Sequence, residues 1–196
     1  MLHIRRTTGA IAAITLQIGV LLSIGAQGQE GVTLGGPFEL VDQFGRTQSH
    51  RDIHGNYLLI FFGFTHCPDT CPTTLSTVSA ALDSFALDSS KRAARVVPVF
   101  VTIDPARDTV AVLQDYLANF HHRFVGLTGT PEQIGKMAKS YGAYYAPVPT
   151  DTAGDYLMDH SAFILLMGPQ GNYLTHFEPD AEATEIAAEL DRRVED

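Results

Sequence analysis

The stretch YLLIFFGFTHCPDTCP, residues 57–72, joins an almost unbroken apolar run to the only two cysteines of the chain, Cys67 and Cys71. A run such as Tyr57 to Phe64 suits a central strand covered on both faces. Pro68 and Pro72 constrain the chain beyond that strand, because proline is tolerated in the first turn of a helix and disturbs its interior. The spacing therefore predicts a long helix starting at about Pro72, with Cys71 at its N-cap and Cys67 one irregular turn earlier. The positive end of a helix favours thiolate over thiol, which is the environment that reactive or metal-binding sulfur needs.

Working outward, Phe38 to Val41 alternates and runs into Asp42-Gln43-Phe44-Gly45, which predicts an N-terminal hairpin. After the cysteines, Leu75, Val78, Leu82 and Phe85 recur at helical spacing. Val96 to Ile103 reads as a second buried strand. Asp108 is then placed to cap a helix that buries Val112, Leu113, Tyr116, Leu117 and Phe120. Thr130-Pro131-Glu132 starts another helix with proline at its first position, ending near Gly142. Ala162 to Met167 is a third apolar strand, turning at Gly168-Pro169-Gln170-Gly171 into Tyr173 to Phe177. A last helix from about Asp180 carries Arg192 and Arg193 where the macrodipole prefers them. The order predicts an α/β fold of thioredoxin-like type, a mixed central sheet flanked by helices with an N-terminal hairpin extension.

The chain has 196 residues, 45% of them hydrophobic and 18% charged, enough apolar material for one sizeable core. Its formal charge is −9, and Lys and Arg are scattered apart from short pairs, a poor match to nucleic acid. A small acidic monomer is expected. Residues 1–26 pair an end bearing His3, Arg5 and Arg6 with an acid-free run from Gly9 to Ala26, as in a cleaved signal peptide or an uncleaved membrane anchor. The basic end predicts export of the rest, to the periplasmic side of a bacterial inner membrane. No cysteine near Ala26 offers a site for lipid. Residues 27–36, rich in Gln and Gly, read as a linker, and residues 37–196 as the folded domain.

Two sulfurs at this spacing suit redox exchange or metal binding; a loop so short restrains little of the unfolded chain, so a structural staple is the weaker reading. A metal needs a third ligand, and His50, His54, His66, His121, His122, His160 and His176 are the candidates. Topology favours His160, because it directly precedes the third central strand and its loop then lies beside the cysteine loop. Asp159 is placed to orient the imidazole. His66 should point away from Cys67, and His121-His122 reads as a solvated helix cap. Two thiolates with one imidazole make a soft three-coordinate set that suits Cu(I) and accepts Cu(II), whereas structural zinc would want a fourth protein ligand. Asp104, Arg107 and Asp108 read as a strand exit with a local ion pair and a helix cap, or as the edge of the site. Asp69 either caps the following turn or tunes the charge around a metal.

FFGFTHCPDTCPTTLS, VFVTIDPARDT, FVGLTGT and YLMDHSAFILLMGPQG occur in that order, and together they resemble the Sco family (Sco1/SenC type) of copper chaperones for cytochrome c oxidase assembly. The resemblance implies a thioredoxin-like domain, exported or tethered to a membrane. It implies one copper ion, Cu(I) or Cu(II), held by Cys67, Cys71 and His160. The partners it implies are a copper-accepting oxidase subunit and other copper chaperones. Thr70, Ala106 and Gln170 depart from the family pattern without removing a ligand. The alternative is a thiol-disulfide oxidoreductase with Cys67 and Cys71 as its redox pair. Against it, thioredoxin-type oxidoreductases carry a cis-proline where this chain has Asp159-His160-Ser161.

Overall fold

A computed structural model describes residues 34–196; the leader and most of the linker expected from the sequence lie outside the described residues. Tyr57–Gly63 forms β3, with all seven residues buried, as an unbroken apolar run demands. Its parallel neighbour is β4, Val96–Thr102, in a register that pairs Phe61 with Phe100 and Gly63 with Thr102. β4 in turn pairs in parallel with β5, Val125–Thr128. On the other side of β3 run antiparallel β8, Ile164–Met167, and then β9, Tyr173–Phe177. The N-terminal hairpin, β1 (Glu39–Asp42) with β2 (Thr47–Ser49), extends the sheet beyond β5. The result is a seven-stranded mixed sheet of order β2-β1-β5-β4-β3-β8-β9, the α/β architecture that alternating elements predict.

Helices cover both faces. α1, Thr70–Asp88, buries the stripe Leu75, Val78, Leu82 and Phe85, each such side chain contributing on the order of 1.5–3 kcal/mol by leaving water. It packs against α5, Ala183–Arg193, and a four-residue helix α2, Ser90–Ala93, follows it. α3, Val110–Leu117, lies on the same sheet face as Phe100, whose ring sits 5.8 Å from that of Tyr116. α4, Pro131–Ser140, begins with a capping box between Thr130 and Gln133. Just beyond its end, Tyr141 meets Phe62 on the opposite face.

Three strands escape the reading of the sequence, and one expected cap is corrected. β5 does not announce itself as a strand because Gly126 interrupts its alternation; the glycine is needed, since a Cβ there would come within 2.3 Å of Leu117 Cδ1. The chain from Tyr145 to His160 contains two further strands, β6 (Tyr145–Pro149) and β7 (Tyr156–His160), paired only with each other. Pro147 and Pro149 make β6 read as loop, and they are tolerated because the ribbon leaves an edge unpaired. Finally, Thr109 and not Asp108 caps α3, its hydroxyl accepting from Val112 N.

Asp108 has a different duty. Fully buried, its carboxyl group accepts hydrogen bonds from Thr65 N (3.0 Å), Thr65 Oγ1 (2.6 Å) and Thr102 Oγ1 (2.6 Å). It thereby fastens the turn after β3 to the end of β4. Asp108→Ala strands these donors in the interior and is expected to lower unfolding free energy by about 2–4 kcal/mol. Urea unfolding measures this, and a change within about 0.5 kcal/mol would contradict the assigned role.

Candidate metal centre

β3 delivers the chain to the sulfurs through one tight turn, in which Cys67 N donates to Phe64 O at 3.3 Å. α1 starts at Thr70, two residues before the expected Pro72, with Asp69 at the N-cap position. Pro72 is accommodated because it still falls in the first turn, where backbone N–H groups have no intrahelical acceptor. Cys71 therefore lies inside the helix rather than at its cap. Its freed N–H points at Cys67 Sγ, 3.4 Å away, so the Cys67 sulfur occupies the place of a capping group. The Asp69 side chain makes no cap hydrogen bond.

This arrangement separates the two sulfurs chemically. Cys67 is half-buried and Cys71 fully buried. A hydrogen bond from the Cys71 thiol is the largest influence on Cys67; helped by the N–H groups of Cys71 and Asp69, it outweighs the opposing cost of burial and pulls the Cys67 pKa down to about 4. Cys71 moves the opposite way, raised well above the ordinary thiol range by that same bond and by burial. In the reduced protein Cys67 carries the negative charge and Cys71 the proton. Gly63 makes room for the buried sulfur: a Cβ on it would lie 2.9 Å from Cys71 Sγ, Phe100 and Phe61 alike.

His160 ends β7 and closes the group, with Nε2 3.7 Å from Cys71 Sγ. Its other nitrogen, Nδ1, lies 2.8 Å from Ser161 O. A carbonyl oxygen only accepts, so the ring proton sits on Nδ1 and Nε2 turns a lone pair towards the sulfurs. The ring stands edge-on to Phe61 and Phe64, 6.0 and 5.8 Å between centroids. Sγ of Cys67, Sγ of Cys71 and a ring nitrogen of His160 all lie within 4.8 Å of one another, the one group of potential metal donors found among the described residues.

The neighbours expected to help are distributed differently. Asp159 is exposed and pairs through its backbone with Ala146, so the Ser161 carbonyl and not a carboxylate orients the imidazole. His66 is exposed, beside Thr65 Oγ1 (3.1 Å) and Asp108 Oδ1 (3.7 Å), and takes no part in the group. His121 is no solvated cap: its side chain is 9% exposed, stacked on His122 and 3.6 Å from Asp83. Burial and the adjacent His122 lower its pKa. His50 lies against Phe38, and His176 against Tyr173 and Glu178. Two residues of the site, Gly63 and Ser161, escape a reading of the sequence; a lone glycine ending an apolar run, and the residue directly after a suspected ligand, are the available signals.

In the reduced, metal-free protein, iodoacetamide is expected to label Cys67 well before Cys71. The Cys67 rate should stay level as pH falls through the ordinary thiol range near 8.5 and decline only as pH approaches about 4. Mass spectrometry of the labelled peptide follows both; equal labelling, or a rate that fades below about pH 8, would contradict the asymmetry.

Comparison with known proteins agrees with this geometry. A family model described as SCO1/SenC matches residues 26–195. The human mitochondrial protein SCO1 homolog is 41% identical over 157 residues, 80% of this chain and 52% of the human protein, so the chain spans about half the length of that relative. An SCO2-like protein of Rickettsia felis is 42% identical over 159 residues, covering 81% of this chain and 76% of its own. The solved structure of Bradyrhizobium japonicum ScoI with copper bound aligns at a TM-score of 0.73 and 42% identity, over 81% of this chain and 98% of that one. With the thioredoxin-like sheet in place and the family model matching residues 26–195, this chain belongs to the SCO1/SenC family.

Proposed function

We propose that the chain is a copper metallochaperone that binds one copper ion through Cys67 Sγ, Cys71 Sγ and His160 Nε2 and passes it to the copper centre of a cytochrome c oxidase subunit. One observation carries the proposal: three soft donor atoms converge within 4.8 Å, with the imidazole lone pair already turned inward. Two thiolates and an imidazole match Cu(I), and they bind Cu(II) through strong thiolate bonding. The B. japonicum relative solved with copper supports the choice of metal.

As cargo, copper displaces the Cys71 proton and draws both sulfurs into its coordination. Three-coordinate copper leaves a flank for an incoming donor, so an acceptor's sulfur or imidazole replaces the chaperone's ligands one at a time. Cys67, the more accessible sulfur, is the natural first point of exchange. Residues 1–26 would carry or anchor the domain on the outer, periplasmic side of a membrane.

The asymmetry of the cysteines supports a second reading, thiol-disulfide exchange. The Cys67 thiolate attacks an acceptor disulfide and forms a mixed disulfide while one acceptor sulfur leaves as thiolate. Cys71, on losing its proton, then attacks Cys67 Sγ. The acceptor leaves with two thiols, and this chain keeps a Cys67–Cys71 disulfide. That disulfide offers no thiolates to copper, so the two activities alternate with redox state.

Reduced protein is expected to take up one copper ion per chain and oxidised protein none. His160→Ala should weaken binding at least about 100-fold, measured by competition with a chromophoric Cu(I) chelator. Unchanged affinity in His160→Ala, together with loss of disulfide-reducing activity in Cys67→Ser, would shift the assignment to the oxidoreductase.

A further inference from the structure

The strand that presents His160 belongs to the ribbon β6–β7, which shares no hydrogen-bonded rung with the main sheet. Tyr145 and Met158 pack against the core, and a cluster of hydrogen bonds holds the far end of β7. There Arg107 lies with its guanidinium carbon 3.7 Å from the centre of the Tyr156 ring. Arg107 Nη1 donates to Tyr156 O at 2.9 Å, and Arg107 Nε pairs with Asp104. The Tyr156 hydroxyl donates to Asp104 Oδ1 at 2.8 Å. Apart from the contacts of His160 with Cys71 and Ser161, the Arg107–Tyr156 and Tyr156–Asp104 bonds are the hydrogen bonds that join Tyr145–His160 to the rest of the described domain, and Asp155 adds an ion pair with Arg107 Nη1 at 3.6 Å. Arg107 is mostly buried, and its Nη2 finds no hydrogen-bond partner.

Resting on the copper reading, we propose that Asp104, Arg107 and Tyr156 form a clasp that positions His160 over the cysteines. Arg107 and Asp104 leave β4 three residues apart and next to Asp108, which holds the cysteine turn. One short segment thus fixes both halves of the metal set: Asp108 the sulfur half, Arg107 and Asp104 the imidazole half. β7 is the rigid spacer between clasp and ligand, with Tyr156 at its first position and His160 at its last. The clasp touches no metal donor, and its residues act through His160.

A thermodynamic cycle on copper affinity tests this. Arg107→Ala is expected to weaken Cu(I) binding by about tenfold or more, the usual cost of losing a residue that orients a ligand. On a His160→Ala background the same change should alter affinity by less than about twofold, because no imidazole remains to be positioned. Tyr156→Phe, which keeps the ring and the carbonyl, should lose about fivefold and replaces Arg107→Ala in the cycle if that variant does not fold. The Cys67–Cys71 reduction potential should stay at the wild-type value in both. Equal losses on both backgrounds, or wild-type affinity in both clasp variants, would overturn the clasp while leaving copper binding intact. A His160→Ala protein that binds as tightly as wild type would instead sink the copper reading, and the clasp with it.

Discussion

Everything in this domain converges on a contact of 3.7 Å between Cys71 Sγ and His160 Nε2. The two residues are 89 positions apart in the chain, and no local preference brings them together. Long-range sheet pairing does so: β3 ends at the cysteine turn, and β8, antiparallel to β3, begins just beyond His160. The strand pair thus places a helix N-terminus and an imidazole at one end of the central strands, where soft donors can share an ion.

Holding that end of the sheet in shape requires polar groups in the interior, which is costly unless every partner is present. Around the sulfurs, a few residues supply those partners. Asp108 accepts three hydrogen bonds from the segments it joins. The Ser161 carbonyl fixes the imidazole's proton. The Cys71 N–H, freed by the start of α1, reaches Cys67 Sγ. Each contact sets a protonation state or a direction as well as a distance. Phe61 and Phe64 beside His160 keep the surroundings apolar, which strengthens each of these electrostatic terms. The difference between the two sulfurs, one ionised and accessible, the other protonated and buried, arises directly from these contacts. Copper loading and disulfide exchange are alternative uses of that difference.

Much of this is legible in the chain. The unbroken apolar run of residues 57–64, the helical stripe of Leu75, Val78, Leu82 and Phe85, and the Thr130-Pro131 start each name an element, because burial and capping leave periodic or positional marks. His160 stands out through topology, since its place before a strand fixes which end of the sheet it reaches. Features set by partners distant in sequence are harder to see. β5 is only four residues long and carries Gly126 to admit Leu117, a requirement invisible without the neighbour. β6 hides behind two prolines that its free edge tolerates. Asp108 looks like a cap because aspartate before a helix usually is one, and only the packed structure supplies Thr65 and Thr102 as its partners. Asp159 looks a better partner for the imidazole than the Ser161 carbonyl for the same reason: side chains advertise hydrogen bonding in a sequence, and backbone carbonyls do not.

The most direct measurement is X-ray absorption at the copper edge on the loaded, reduced protein and on its His160→Ala variant. Two sulfur neighbours and one nitrogen neighbour in the wild type, with the nitrogen lost in the variant, are what a shared Cys67–Cys71–His160 site produces. A sulfur-only shell that is identical in both proteins would mean that the imidazole stands beside the metal without holding it.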